Sequence, residues 1–205
     1  MNLKSKSFIL LTLATVAVAG AQNAVSTKEW KSFVTKDGKF TIKTPKSWQN
    51  SDPNDPASKA AMETIKKNNP NMAKLFENQD NQFELYLLDL GGDSVNGLNN
   101  VNLKVLKDSG LTTAMYPDVA TGILKQTGMK NSGWKLLTLP AGKSMTYWGD
   151  LAVSLGDGKT MNLKVYGYLI TKANMTYICT MTTMPDRDKV QKPIFEAMSK
   201  SITLK

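Results

Sequence analysis

The chain has 205 residues, of which 41% are hydrophobic and 21% charged, proportions that suit one or two ordinary folded domains and exclude a disordered or collagen-like chain. One cysteine and no histidine exclude an internal disulfide framework, a Ser-His-Asp triad, a Cys-His dyad and a histidine-liganded metal. The formal net charge is +9, yet Arg187 is the one arginine, which disfavours sequence-specific nucleic-acid recognition, where the arginine fork does most of the reading.

In chain order, residues 1–21 read as a signal peptide. Lys4 and Lys6 form the basic n-region, and Phe8 to Ala19 is an apolar run of 12 residues, too short to span a membrane comfortably. Ala19-Gly20-Ala21 is a small-x-small cleavage site, placing the cut between Ala21 and Gln22. The mature chain then carries 24 basic against 17 acidic residues, a net +7 that is almost wholly lysine. Residues 22–27 are expected to be a disordered lead and 22–205 to form a single domain. No later segment approaches 18 uninterrupted apolar residues, so no transmembrane segment is expected in the mature chain. The expected location is periplasmic or extracellular.

Trp30 to Val34, a turn at Asp37-Gly38 and Phe40 to Thr44 make a hairpin signal, since Asp-Gly supplies the positive φ of a tight turn. Pro45 ends the second strand, and Asp52 to Pro56 is loop by composition. Helices are expected over Ala57 to Asn68 and Asn71 to Glu77. Gln82 to Leu90, apolar on both sides, reads as a buried strand, and Val101 to Val105 alternates cleanly. Pro117 to Lys130 is a helix with proline in its first turn, and Val119, Ile123 and Leu124 should face the core. Trp134 to Leu139 is a strand. Lys143 to Leu155 and Thr160 to Thr171, joined through Gly156 to Lys159, form a longer hairpin. Met161, Leu163, Val165 and Leu169 share one of its faces. Met175 to Thr183 is another strand. A helix opening at Pro185-Asp186 carries Val190, Ile194, Ala197 and Met198 at helical spacing, with Phe195 widening the stripe.

Most adjacent strands are joined by turns too short for a parallel crossover. The expected fold is therefore α+β: a largely antiparallel sheet with helices packed on both faces, preceded by an N-terminal β-hairpin. Phe40-Thr41-Ile42-Lys43-Thr44-Pro45-Lys46-Ser47-Trp48 resembles the F-x-I-x-x-P-x-x-W opening of the PsbP-like superfamily. Asn100 to Val105 is similar to its N-V-N-V strand, and Phe195 followed by Ser199 and Ser201 to its terminal helix. The likeness runs from about residue 30 to 203, nearest to the uncharacterised exported bacterial members. It implies a PsbP-like α/β/α sandwich. Members include the extrinsic PsbP subunit of photosystem II and a release factor for the Ran GTPase, so the resemblance implies a binding or accessory module more readily than an enzyme.

The chemistry-bearing residues point the same way. Cys179 has no histidine to activate it and reads as a buried structural thiol. Ser199-Lys200 and Lys143-Ser144 are adjacent pairs whose side chains diverge, without the G-x-S-x-G or S-x-x-K context of a serine enzyme. Glu84 and Asp89 are the strand-borne candidates for a carboxylate pair. Asp52, Asn54 and Asp55 lack the bidentate glutamate of a calcium loop, and Met181 with Met184 resembles a thioether pair of the kind that takes Cu(I). Gly156-Asp157-Gly158-Lys159 lacks the phosphate-loop spacing and is a turn. Trp48, Trp134 and Trp148 lie near strand ends or in a hairpin. Trp148 shares a face with Thr146, Asp150 and Ala152; packing under a helix is the favoured reading, and it lines a groove if no helix covers that face. No catalytic residue, cofactor or metal ligand is assigned. The leading reading is an exported, non-enzymatic, monomeric binding module with an acidic envelope protein or anionic surface polymer as partner. An enzyme with a carboxylate- or lysine-based site, or a small-ligand or metal-handling carrier, are the alternatives.

Overall fold

The computed structural model describes residues 25–51, 59, 60, 63, 67, 83–91, 99–156 and 158–205. The segments expected to be a signal peptide with its Ala21–Gln22 junction, the 52–56 loop and the 71–77 helix, together with Asp157 and most of the expected 57–68 helix, lie outside the described residues; residues 59, 60, 63 and 67 are helical.

The Asp37-Gly38 turn forms as its chemistry dictates. Gly38 has φ +71°, its N–H donates to Thr35 O (2.8 Å), and Asp37 Oδ1 accepts from Thr35 Oγ1 (2.7 Å) and the Lys39 N–H (3.0 Å). It joins β1 (Lys31–Val34) to β2 (Phe40–Thr44) in antiparallel register. This hairpin does not enter the main sheet. Its third strand is β10 (Thr203–Leu204), which pairs antiparallel with β2 in the order β1-β2-β10, a pairing the sequence pattern did not announce.

Among the described residues the main sheet has seven strands, all antiparallel to their neighbours: β3 (Trp48–Asn50), β4 (Leu85–Asp89), β5 (Asn100–Lys107), β9 (Met175–Thr183), β8 (Lys159–Lys172), β7 (Gly142–Gly156) and β6 (Lys130–Leu139), in that order across the sheet. Trp48 opens a short strand of its own. Helix α1 (Tyr116–Thr127) starts one residue before Pro117, and Lys130 opens β6 instead of ending the helix. Helix α2 (Asp188–Lys200) follows a 3-10 turn at Pro185–Arg187.

Side chains alternate across each strand. On β8, Tyr168 and Ile170 join the core that holds Phe195 and Met198 of α2, while Leu163, Val165 and Leu169 join the core that holds Tyr116 and Ala120 of α1. The two helices therefore cover opposite faces. The three-stranded sheet shares the α2 face, burying Phe40 and Ile42 there. α1 is tied down by Tyr116, whose Oη accepts from the Thr171 N–H (3.0 Å).

The inward stripe of α2 differs from the expected one. Gln191, Phe195, Met198 and Ser199 are buried and Ile202 closes the stripe, but Val190 is 66% exposed. At about 100° per residue, Gln191 lies within a few tens of degrees of Phe195 and Met198, and Val190 lies a quarter-turn outside them.

Candidate binding groove

The register aligns side chains in rows across the α2 face. One row reads Leu87, Val101, Met181, Tyr166, Trp148, Gly133; the next reads Leu85, Leu103, Cys179, Tyr168, Thr146, Lys135. The first three members of each row are at most 4% exposed, under α2 and the small sheet. Tyr166 and Tyr168 meet the flank of α2, and the last two members of each row, on β7 and β6, lie beyond it. Between them and the helix runs a groove with a cavity of about 450 Å³.

Each groove residue has a structural reason to be where it is. Trp148 comes from β7 and is half-buried, lying across β6 where Gly133 offers no side chain; a Cβ at Gly133 would meet Trp148 Cζ2 at 2.6 Å. Tyr166 is half-buried, and its O–H donates to Asp188 Oδ1 in the first turn of α2. Burial and that neighbouring carboxylate push its hydroxyl well above the ordinary tyrosine range. Tyr168 is 4% exposed, with Ser199 and Thr146 beside its hydroxyl. Its ionisation is pushed up to about 12, chiefly by burial, with Glu196 adding to the effect. Exposed Lys135 borders the groove on the sheet side, and exposed Lys192 and Lys200 on the helix side. Glu196 is the one carboxylate among the described lining residues.

A second hollow, of about 400 Å³, lies at the other side of β6, between that strand and the start of α1. Leu137 and Thr138 line both cavities.

The other candidates separate. Trp48 is 1% exposed in the α2-side core, in an edge-on contact with Phe195, and Trp134 packs against the α1-side core. Of these three candidate tryptophans, Trp148 alone lines the groove. Cys179 is fully buried and its thiol is pushed up to about 12 by that burial, so it is held as the neutral thiol and not as a nucleophile. Ser199 is buried and donates to Glu196 O (2.9 Å) while Lys200 is exposed. Ser144 is buried and donates to Gly142 O (2.9 Å) while Lys143 is exposed. Neither pair forms a serine–lysine dyad. Glu84 is exposed, and Asp89 is buried five residues further along the chain, roughly 16 Å away at strand rise, beyond the spacing of a glycosidase pair. Asp89 instead accepts from Asn99 Nδ2 (3.2 Å) and the Gly91 N–H (3.1 Å), while Asn99 Oδ1 accepts from Thr183 Oγ1 (2.6 Å), fastening the β4–β5–β9 end. Met181 lies in the α2-side core and Met184 against the α1-side core, so they do not form a thioether pair. No described helix is long and apolar enough to cross a membrane.

Among the described residues, an antiparallel sheet of this order, with α1 and α2 packed into separate cores and a hairpin sheet beside it, has the α+β fold of the PsbP-like class. The solution structure of cyanobacterial PsbP (CyanoP) from Synechocystis sp. PCC 6803 matches with TM-score 0.51 at 13% identity, over 91% of this chain and 99% of that one. A variant of the protein Mog1 matches with TM-score 0.50 at 10% identity, over 85% and 95%. LpqN of Mycobacterium tuberculosis, described as involved in cell envelope biogenesis, gives TM-score 0.49 at 11% identity, over 86% and 90%. No family profile matches the sequence, and no curated protein matches it. The shared property is the fold.

Proposed function

We propose that the protein is an exported, non-enzymatic binding module, cleaved between Ala21 and Gln22, that holds a net-acidic partner in the Trp148 groove as a monomer. The observation that supports this reading is the groove itself: three exposed lysines around a half-buried tryptophan, with one opposing carboxylate. A large aromatic ring in a partly dry setting is the commonest energetic anchor of an interface. Lysines at its rim attract an acidic partner over a screening length of about 8 Å at physiological salt and act chiefly on the on-rate. The buried neutral thiol and the diverging Ser–Lys pairs favour binding over covalent chemistry. The fold's likeness to PsbP is in keeping with an accessory module.

The test is site-specific photo-crosslinking in the native envelope or medium. A crosslinker at Trp148 should capture an acidic partner, with yield falling as salt rises, whereas one at Val190, on the opposite flank of α2, should not. Equal capture at both positions, or a basic partner at Trp148, would falsify this reading. Intact-mass measurement of the exported protein checks the processing step, and a mass that retains Phe8 to Ala19 refutes it.

A further inference from the structure

The groove ends at β6, the outermost strand of the seven. Among the described residues β6 pairs with β7 on one side and with no strand on the other. Its register with β7 shifts between Lys130 and Gly133, then runs unbroken from Gly133 to Leu139 without a proline. Those seven residues give a ladder of roughly 23 Å, and every second N–H and C=O along an antiparallel edge points away from the existing partner. Natural edges are usually blunted by bulges, prolines or charged side chains, lysine above all; the one charge in the regular stretch of β6 is Lys135, which an acidic strand would neutralise and a basic one would repel. Here the irregularity sits at the Lys130 end, and Leu136 in the regular stretch is 58% exposed.

The two cavities lie on either side of this strand. A strand laid against β6 would send alternate side chains toward opposite sides, one set to the Trp148 groove and the other to the hollow beside α1. That combination, backbone ladder for affinity and alternate pockets for selectivity, is what recognition by strand addition requires. The charge around it selects the occupant. Lys135, Lys192 and Lys200 border one cavity and Lys143 the other, against Glu196 alone. β6 itself carries Lys130 and Lys135 and no carboxylate, so pairing with the same edge of a second copy would bring like charges together.

We propose that β6 takes up an extended acidic segment of another protein as an eighth strand, its alternate side chains entering the two flanking cavities. This rests on the reading of the Trp148 groove as a binding surface and gives the mode in which that surface is used.

The experiment uses the mature chain and an end-blocked peptide of roughly eight residues, enough to match the ladder, alternating valine and glutamate. Tryptophan fluorescence gives the affinity, and hydrogen exchange of the β6 amides gives the location. Binding should slow exchange along Gly133 to Leu139 and weaken about tenfold between roughly 50 and 500 mM salt. N-methylating one alternate set of peptide amides should weaken binding at least about tenfold, while methylating the other set leaves it unchanged, because one set alone faces β6. Three results overturn strand addition: both methylated peptides binding like the parent, a valine–lysine peptide binding as tightly, or no binding at all. Dimerisation of the chain through β6 also overturns it in favour of self-pairing. If both methylated peptides still bind and still perturb Trp148, strand addition falls while the groove reading stands. If no peptide binds and crosslinks at Trp148 and Val190 are alike, both fall.

Discussion

The two halves of the α2 face use the same pleat and the same rows of residues, and one is a dry core while the other is a groove. At the β4–β5–β9 end the rows supply Leu85, Leu87, Val101, Leu103, Cys179 and Met181, all at most 4% exposed. At the β6–β7 end they supply Gly133, Lys135, Thr146 and Trp148. Tyr166 and Tyr168 stand at the boundary, ring toward the core and hydroxyl toward Asp188 or Ser199. The difference follows from width. A helix about 10 Å across covers two strands spaced at about 4.8 Å, and seven strands span about three times that. The β1-β2-β10 sheet extends the cover on one side of the face, and nothing among the described residues extends it over β6 and β7. A groove in this fold is the part of a sheet its cover does not reach.

The largest effect that would sharpen this comparison is on stability. Phe195→Ala should cost about 3–5 kcal/mol, the usual loss for a buried aromatic, whereas Trp148→Ala should cost about 1–2 kcal/mol because its ring is already partly wet. Denaturant titration of both decides; equal losses would mean the two halves are one core. Next, Gly133→Ala forces Trp148 aside, since the added Cβ would sit 2.6 Å from its ring. It should cost about 1–3 kcal/mol and shift tryptophan emission to the red, while leaving the core of the other half intact by near-ultraviolet circular dichroism.

A smaller effect comes from pH. The ionisations of Tyr168 and Cys179 are raised to about 12 in the folded chain, from ordinary values of 10.0 and 9.0. A raised value means the folded state holds its proton longer, so the stabilisation is complete below about pH 9 and is lost as pH climbs toward 12. The denaturation midpoint should therefore fall across that window, and Cys179→Ala should flatten the lower part of the fall. A midpoint that is level there would show that neither group is dry. Smallest in stability is Lys192→Gln, an exposed groove position, expected within about 0.5 kcal/mol of the parent while the on-rate for the partner drops. A stability loss well beyond that would place Lys192 in the core rather than at the rim.

What the residue pattern could reveal tracks how local the cause is. The Asp37-Gly38 turn, β9 from Met175 to Thr183 and the shared face of Met161, Leu163, Val165 and Leu169 are set by neighbours in the chain, and the structure has them as read. Trp148 and Thr146 could be placed on one face opposite Met145 and Tyr147 by alternation alone. Whether that face was covered depended on how far α2 reaches, which no period records. β3 and β10 are three and two residues long, too short for any alternation to register. Gln191 was invisible as a core position because it is polar; only its place between Phe195 and Met198 on the helix wheel marks it, and that signal was outweighed by the apolar Val190. The second cavity rests on Tyr116 and Lys143, which are 27 residues apart.

The pairing of β10 with β2 also bears on the order in which the chain assembles. Ser201 Oγ accepts from the Lys43 N–H (2.9 Å), a contact between residues 158 apart in sequence, and the Lys205 N–H donates to Lys39 O (3.0 Å). The length-dependent part of closing such a loop is roughly 4–5 kcal/mol, and two residues of ladder repay little of it by themselves. The first hairpin is local enough to form early, but Phe40 and Ile42 share their core with Phe195, Met198 and Ile202, so their burial is complete only with α2 and residues 201–205 in place. High contact order of this kind slows folding. A chain emerging from its N-terminal side would hold its first strands provisional until its final turn had been made, and a truncation before residue 201 would leave an apolar hairpin without its clasp.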